Sequence, residues 1–186
     1  MKRLSLQATP LAGVYLLRRT RQDDARGFLS RVFCADELAE GGWQGPVAQI
    51  NQTLTLSKGT VRGLHFQHPP HAEYKLVSCL RGCVWDVAVD LRRNSATFLQ
   101  WHAEYLHADQ GAALLIPAGF AHGFQAISDN TELLYCHSQA FAPDAQGCLN
   151  PNDPRLSIRW PLDIAHLSDR DAQAPLLNPS FAGVDA

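Results

Sequence analysis

The 186-residue sequence lacks several features that would settle its class at once. No apolar run approaches the roughly 20 residues a helix needs to span a bilayer. The stretch from Leu11 to Leu17 is short and runs into Arg18 and Arg19, so it reads as a strand rather than a signal peptide. Neither sign of charge dominates: 16 Lys and Arg against 18 Asp and Glu leave a net charge of −2 with His neutral. Such a balance gives no global attraction to nucleic acid or to an anionic membrane, and neither is expected as a partner. An anionic ligand would have to be caught by a local cluster of Arg and Lys. The five cysteines, Cys34, Cys79, Cys83, Cys136 and Cys148, are odd in number and contain no CxxC pair. That argues against a disulfide framework and against a zinc site, and fits a reducing, cytoplasmic setting. There is no internal repeat, low-complexity tract or linker, so residues 1–186 are expected to form one domain. Its 46% apolar content suits a packed core.

What is present reads mainly as β-structure. Segments rich in β-forming residues run near 14–19, 47–55, 75–81, 84–91, 98–106, 112–116 and 132–138, with Gly, Asn and Asp turn signals between them. Short strands at this spacing predict a sandwich or barrel. Within 84–91, Trp85, Val87 and Val89 fall on one face and Asp86 and Asp90 on the other, the pattern of a strand with one buried face. Asp86, Asp90 and Arg92 are read as structural. Short helices are expected at Ala35–Glu40 and at Ser168–Ala172, where Ser168 and Asp171 match an S-x-x-D capping box. Five prolines between Pro151 and Pro179 predict a C-terminal quarter that wraps the barrel as loops.

Two segments resemble the paired motifs of cupin-type jelly-roll barrels (double-stranded β-helices). The first runs from Gly59 to His65, a Gly followed by five residues and a His; the second keeps that spacing from Gly111 to Pro117 and adds a P-x-G-x-x-H ending through Gly119 to His122. Glycines of this kind turn the chain at barrel corners and let two His project from facing strands into one cavity. Metal-binding cupins need more: a second His two residues after the first, and a Glu beyond it. Position 67 is Gln67, and His68 would face the other way along a strand. Glu73 could join only if the loop through Pro69 and Pro70 folded back. His65 and His122 alone are too few ligands, so no metal is expected. His68 and His71 are read as surface residues beside a Pro-rich turn.

The stretches Arg62-Gly-Leu-His-Phe-Gln67, Gly119-Phe-Ala-His-Gly-Phe124, Asn152-Asp-Pro154 and Leu167-Ser-Asp-Arg-Asp171, in this order, resemble the dTDP-4-dehydrorhamnose 3,5-epimerase family, over about residues 26–175. The resemblance implies a cofactor-free homodimeric enzyme that epimerises a 4-keto-6-deoxyhexose nucleotide, similar to dTDP-4-dehydro-6-deoxyglucose, at C3, C5 or both, in deoxysugar (rhamnose-like) biosynthesis. The chemistry needs a base on one face, a cation at the enolate oxygen and an acid on the other face. The resemblance assigns these to His65, Lys75 and Tyr135, with Asp171 holding the His65 ring. A histidine suits a base because its ordinary pKa, about 6.5, leaves it largely neutral near pH 7. Arg26 and Arg62 would take the diphosphate through their planar forks. Gln49, Asn51, His122, Arg31 and Phe141 would line the substrate site.

Each assignment has a structural rival. Asp171 could serve only as the capping acid, with Asp169 as the alternative partner of His65. Tyr135 could be a buried strand aromatic, Lys75 an edge-protecting charge, and Arg62 half of an ordinary ion pair. Arg31, Phe141 and Gln146 depart from the family pattern, where Glu, Tyr and Glu are usual, which bears on the sugar or base preferred. Two other readings compete: a metal-dependent cupin oxygenase or isomerase, and a non-catalytic sugar-nucleotide-binding cupin.

Overall fold

The structure, a computed structural model, describes residues 2–185. The strands in chain order are β1 (Leu4–Ala8), β2 (Tyr15–Arg19), β3 (Arg21–Asp24), β4 (Gly27–Ser30), β5 (Gln49–Thr55), β6 (Val61–Gln67), β7 (Lys75–Arg81), β8 (Cys83–Asp90), β9 (Trp101–His107), β10 (Ala112–Ile116), β11 (Phe120–Ala126), β12 (Thr131–His137) and β13 (Gln146–Cys148). Two one-turn helices, α1 (Ala35–Leu38) and α2 (Asp169–Ala172), complete the regular structure with three short 3₁₀ turns. A six-stranded antiparallel sheet in the order β1-β2-β10-β7-β12-β5 faces a five-stranded one in the order β13-β6-β11-β8-β9. This is the predicted cupin-type jelly roll. The β3–β4 hairpin forms a separate two-stranded sheet.

The apolar core between the sheets draws Val77, Leu114, Ile116 and Leu133 from the first and Val84, Ala88, Leu106 and Phe124 from the second. Both outer faces are covered as well. Leu38 of α1 and Trp43 pack on the six-stranded sheet against Leu17, Leu76 and Leu115. The proline-rich C-terminal segment packs on the five-stranded sheet, where Trp160 and Trp101 each meet Trp85 edge-on at 5.5 Å.

Double coverage corrects one expectation. All eight residues of β8 are buried, Asp86 and Asp90 included. The face carrying the acids is the barrel interior rather than solvent. The ninth strand also starts later than its β-rich composition predicts. Asp90 pairs with Arg92 at 2.7 Å and takes hydrogen bonds of 2.6 Å from both Ser95 Oγ and Thr97 Oγ1. These bonds hold residues 92–100 as turns, so pairing with β8 begins at Trp101.

Candidate active site

A cavity of about 680 Å³ opens between the sheets, lined by β5, β6, β7, β11 and β12 and by the segment around α2. His65 on β6 and His122 on β11 are cross-strand neighbours there. Gly63 and Gly123 lie between this pair and the next, Arg62 with Phe124, and the register of β11 against β6 shifts at this point. A Cβ on Gly63 would sit 2.5 Å from the Gly123 Cα, and one on Gly123 would sit 2.8 Å from the Arg62 carbonyl oxygen. Only two glycines allow the strands this close. Regular alternation would point residues 62 and 65 to opposite faces. Both line the cavity, because the irregularity at Gly63 re-aims the strand.

His65 Nε2 is 2.7 Å from Asp171 Oδ1. The other Asp171 oxygen accepts the Gly63 N–H at 3.2 Å. Asp171 is also the residue whose N–H Ser168 Oγ caps, at 3.1 Å. The capping role and the contact with His65 therefore coexist in one residue, and Asp169 is not the partner. Burial pushes the Asp171 carboxyl up, but the hydrogen bond and charge of His65, with the bonds from Gly63 and Ser168, outweigh it and hold the pKa below the ordinary value.

Lys75 on β7 is buried and forms an ion pair with Glu73 at 3.0 Å. Its ammonium also donates to the His65 carbonyl at 3.1 Å. The loop after β6 does fold back: Gln67 Nε2 donates to Glu73 and to the His71 carbonyl, both at 2.9 Å, while Gln67 Oε1 accepts the Ala142 N–H at 2.7 Å. Gln67 is thus a latch for this loop, and Glu73 is spent on Lys75 and Gln67. Tyr135 on β12 meets His122 edge-on at 5.9 Å. Burial, and then the nearby Asp86 carboxylate, raise the phenol pKa, so the hydroxyl keeps its proton.

Asp86 is fully buried and accepts from His122 Nε2 at 2.8 Å. Burial raises its pKa against the opposing pull of His122 and Lys75. Asp86, read from the sequence as structural, thus forms a second His–carboxylate pair behind the cavity wall. The available signal was its strand face: Val84 and Ala88 share it with the two acids, an unlikely composition for a solvated face. His137, the residue two beyond Tyr135, also lines the cavity and drew no notice in the sequence.

Gln49, Asn51, Arg62 and Phe141 line the same cavity. Gln49 donates to Asn51 at 3.0 Å and accepts the Phe141 N–H at 2.9 Å. Arg62 donates to Thr55 Oγ1 and to the Leu54 carbonyl. Arg26 and Arg31 are not among the cavity residues of this chain. Arg26, on the β3–β4 turn, pairs with Asp24 at 2.6 Å, and Arg31 pairs with Glu37. As for metals, His65 Nε2, Cys148 Sγ and an Asp171 oxygen lie within 4.8 Å of one another. A soft divalent cation could sit there only by displacing the His65–Asp171 hydrogen bond.

The arrangement offers a carboxylate-backed imidazole, a buried ammonium and a protonated phenol around one cavity, which suits proton transfer at carbon beside a carbonyl. The family model for dTDP-4-dehydrorhamnose 3,5-epimerase matches residues 8–179. A dTDP-4-dehydrorhamnose 3,5-epimerase of Pseudomonas aeruginosa is 41% identical over 184 residues, 97% of this chain and 98% of that protein. The crystal structure of the Elizabethkingia anophelis enzyme of the same name superposes with a TM-score of 0.90 at 36% identity, covering 97% of this chain and all of that one. A dTDP-6-deoxy-D-glucose-3,5-epimerase from Legionella pneumophila, in complex with dTDP-4-keto-L-rhamnose, gives a TM-score of 0.87 at 35% identity over 93% of this chain and 92% of its own. Sequence likeness along nearly the whole length and the same barrel lead to one assignment: the chain belongs to the dTDP-4-dehydrorhamnose 3,5-epimerase family.

Proposed function

We propose that residues 1–186 act as one catalytic domain that epimerises a dTDP-linked 4-keto-6-deoxyhexose at C3, C5 or both, in deoxysugar biosynthesis. The observation that carries the site assignment is the His65–Asp171 pair at 2.7 Å on the cavity wall. With Nε2–H bonded to Asp171, the ring's lone pair lies on Nδ1. That nitrogen removes the proton beside the ketone, and Asp171 stabilises the imidazolium that results. An ammonium has three N–H donors. Lys75 spends two of them on Glu73 and the His65 carbonyl, leaving one for the developing enolate oxygen. Tyr135 then gives its proton to the opposite face of the carbon, and the resulting phenolate recovers a proton from solvent as His65 loses one. No cofactor is called on.

Arg62 takes the diphosphate. Arg26 and Arg31 serve a second copy of the chain in a homodimer. Two features support this: the β3–β4 hairpin stands apart with Phe28 and Leu29 exposed, and edge strand β5 exposes Ile50 and Leu54. Exposed apolar side chains clustered on a hairpin and a sheet edge suit an interface between copies. All five cysteines are unpaired, which suits the cytoplasm. The test is the reaction itself in D₂O with dTDP-4-keto-6-deoxyglucose. Deuterium should enter at C3, C5 or both, and His65→Asn should stop the uptake without unfolding the protein. Uptake at neither carbon refutes the proposal.

A further inference from the structure

His137 lines the cavity but takes no part in the steps above. It shares the inner face of β12 with Tyr135, and the two rings stack at 6.0 Å with planes 14° apart. Across the sheet its register partner is Lys75 on one side and Gln49 on the other. Its Nε2 is buried without a hydrogen-bond partner among the described residues. The charged and titratable groups around it are Lys75, Glu73 and His122. Burial first, and then the Lys75 charge, lower its pKa to about 4. The ring is therefore neutral at neutral pH, with one N–H and one lone pair, and can donate to or accept from a hydroxyl.

Buried polar groups without partners are rare, and each calls for an account. The protein offers His137 none, because the Glu73 carboxylate is already held by Lys75 and Gln67. The substrate can offer one. In a 4-keto-6-deoxyhexose the two carbons flanking C4 differ: C3 carries a hydroxyl and C5 carries a methyl group. If Lys75 holds the C4 oxygen, the 3-hydroxyl is the neighbouring sugar group able both to donate to and to accept from an imidazole, since the C5 side offers only a methyl group and a weakly accepting ring oxygen.

We infer that the His137 imidazole is a specificity-determining contact, hydrogen-bonded to the 3-hydroxyl of the bound 4-keto sugar beside the C4 oxygen held by Lys75. The inference rests on the function proposed above. Epimerisation at C3 moves that hydroxyl, so His137 senses the configuration of C3 and not that of C5.

The test compares wild type with His137→Phe, which keeps a flat ring on Tyr135 but removes both nitrogens, and with His137→Gln, which restores hydrogen bonding. In D₂O, His137→Phe should lower kcat/KM for exchange at C3 by about tenfold or more, the worth of a substrate hydrogen bond. His137→Gln should recover much of the loss. Affinity for dTDP alone, which lacks the 4-keto hexose, should stay within about twofold, and the thermal midpoint should not fall, because an unpartnered buried nitrogen is gone. The inference is overturned if His137→Phe leaves C3 exchange within about threefold of wild type, or weakens dTDP binding by the same factor as exchange. It also fails if wild type exchanges only C5. A wild type that exchanges neither carbon sinks the proposed function itself, which is a separate outcome.

Discussion

Replacing Asp171 by Asn probes the hydrogen bonds through which His65 is proposed to act as a base. One carboxylate oxygen takes the His65 Nε2 hydrogen and the other takes the Gly63 N–H. An asparagine of the same shape has one accepting oxygen. If that oxygen stays on Gly63, the amide N–H points at Nε2, which must then present its lone pair. The single ring proton moves to Nδ1, and the base is lost. If the oxygen turns to His65, two N–H groups meet at Gly63, and the imidazolium loses its counter-charge. A positioned general base is worth about 10²- to 10⁴-fold in rate, or roughly 3–5 kcal/mol of barrier. Initial rates of deuterium uptake read by NMR measure the loss. Stability should fall too, since a hydrogen bond to a charged acceptor contributes about 1.5–3 kcal/mol. The sign with pH follows from the lowered Asp171 pKa: this contribution is full above the ordinary carboxylate value, about 4, and is lost as pH falls through the lower folded value. Thermal midpoints of wild type should therefore drop faster in acid than those of the variant. A folded Asp171→Asn enzyme exchanging within about fivefold of wild type refutes the base assignment.

Three further outcomes are expected. Tyr135→Phe should keep the fold and lower uptake by about 10²-fold or more at whichever carbon the phenol reprotonates; an unchanged rate at both carbons would remove Tyr135 as the acid. Asp86→Ala leaves the His122 ring nitrogen without its partner in a buried site and should cost about 1–3 kcal/mol in denaturant unfolding, the range for an unsatisfied buried polar group; a cost below about 0.5 kcal/mol would mean the pair is inert. Co-expressing Arg26→Ala with His65→Asn tests the homodimer. A mixed dimer in which Arg26 serves the neighbouring copy has one site with both groups intact, so activity should exceed that of either parent, whereas action within one chain leaves every site defective.

The barrel was legible because its signals are local. Gly59 and Gly111 stand at fixed spacing before His65 and His122, and both take the positive φ that the motif demands. The cap of Ser168 on Asp171 was legible for a similar reason, since an S-x-x-D box is local, whereas the meeting of Asp171 with His65 was implied only by the family resemblance. Asp86 was not legible, because strand alternation says which residues share a face but not whether that face meets water. Nor was the position of Arg26 outside its own chain's cavity. An R-G pair signals a turn, and where that turn stands relative to the cavity is not written in its neighbours. Gln67 was recognised as a poor metal ligand, but its work as a latch depends on Glu73 and Ala142, which only the folded loop brings to it.

Asp171 lies 106 residues beyond His65, on the segment wrapped over the outside of the barrel. Asn150 Nδ2 ties that segment down through the Ala172 and Ala174 carbonyls, while the Ala165 N–H bonds the Gly59 carbonyl and the Val61 N–H bonds that of His166. Under the proposed mechanism, catalytic competence is therefore a property of the wrap as well as of the barrel. Local opening of the wrap would take the acid partner from His65 while leaving the sheets intact, so the proposed mechanism ties the active fraction to that opening as well as to global unfolding. On gentle heating or in dilute denaturant, turnover should decline before the sheets melt, and amide exchange around residues 163–174 should quicken in step with that decline.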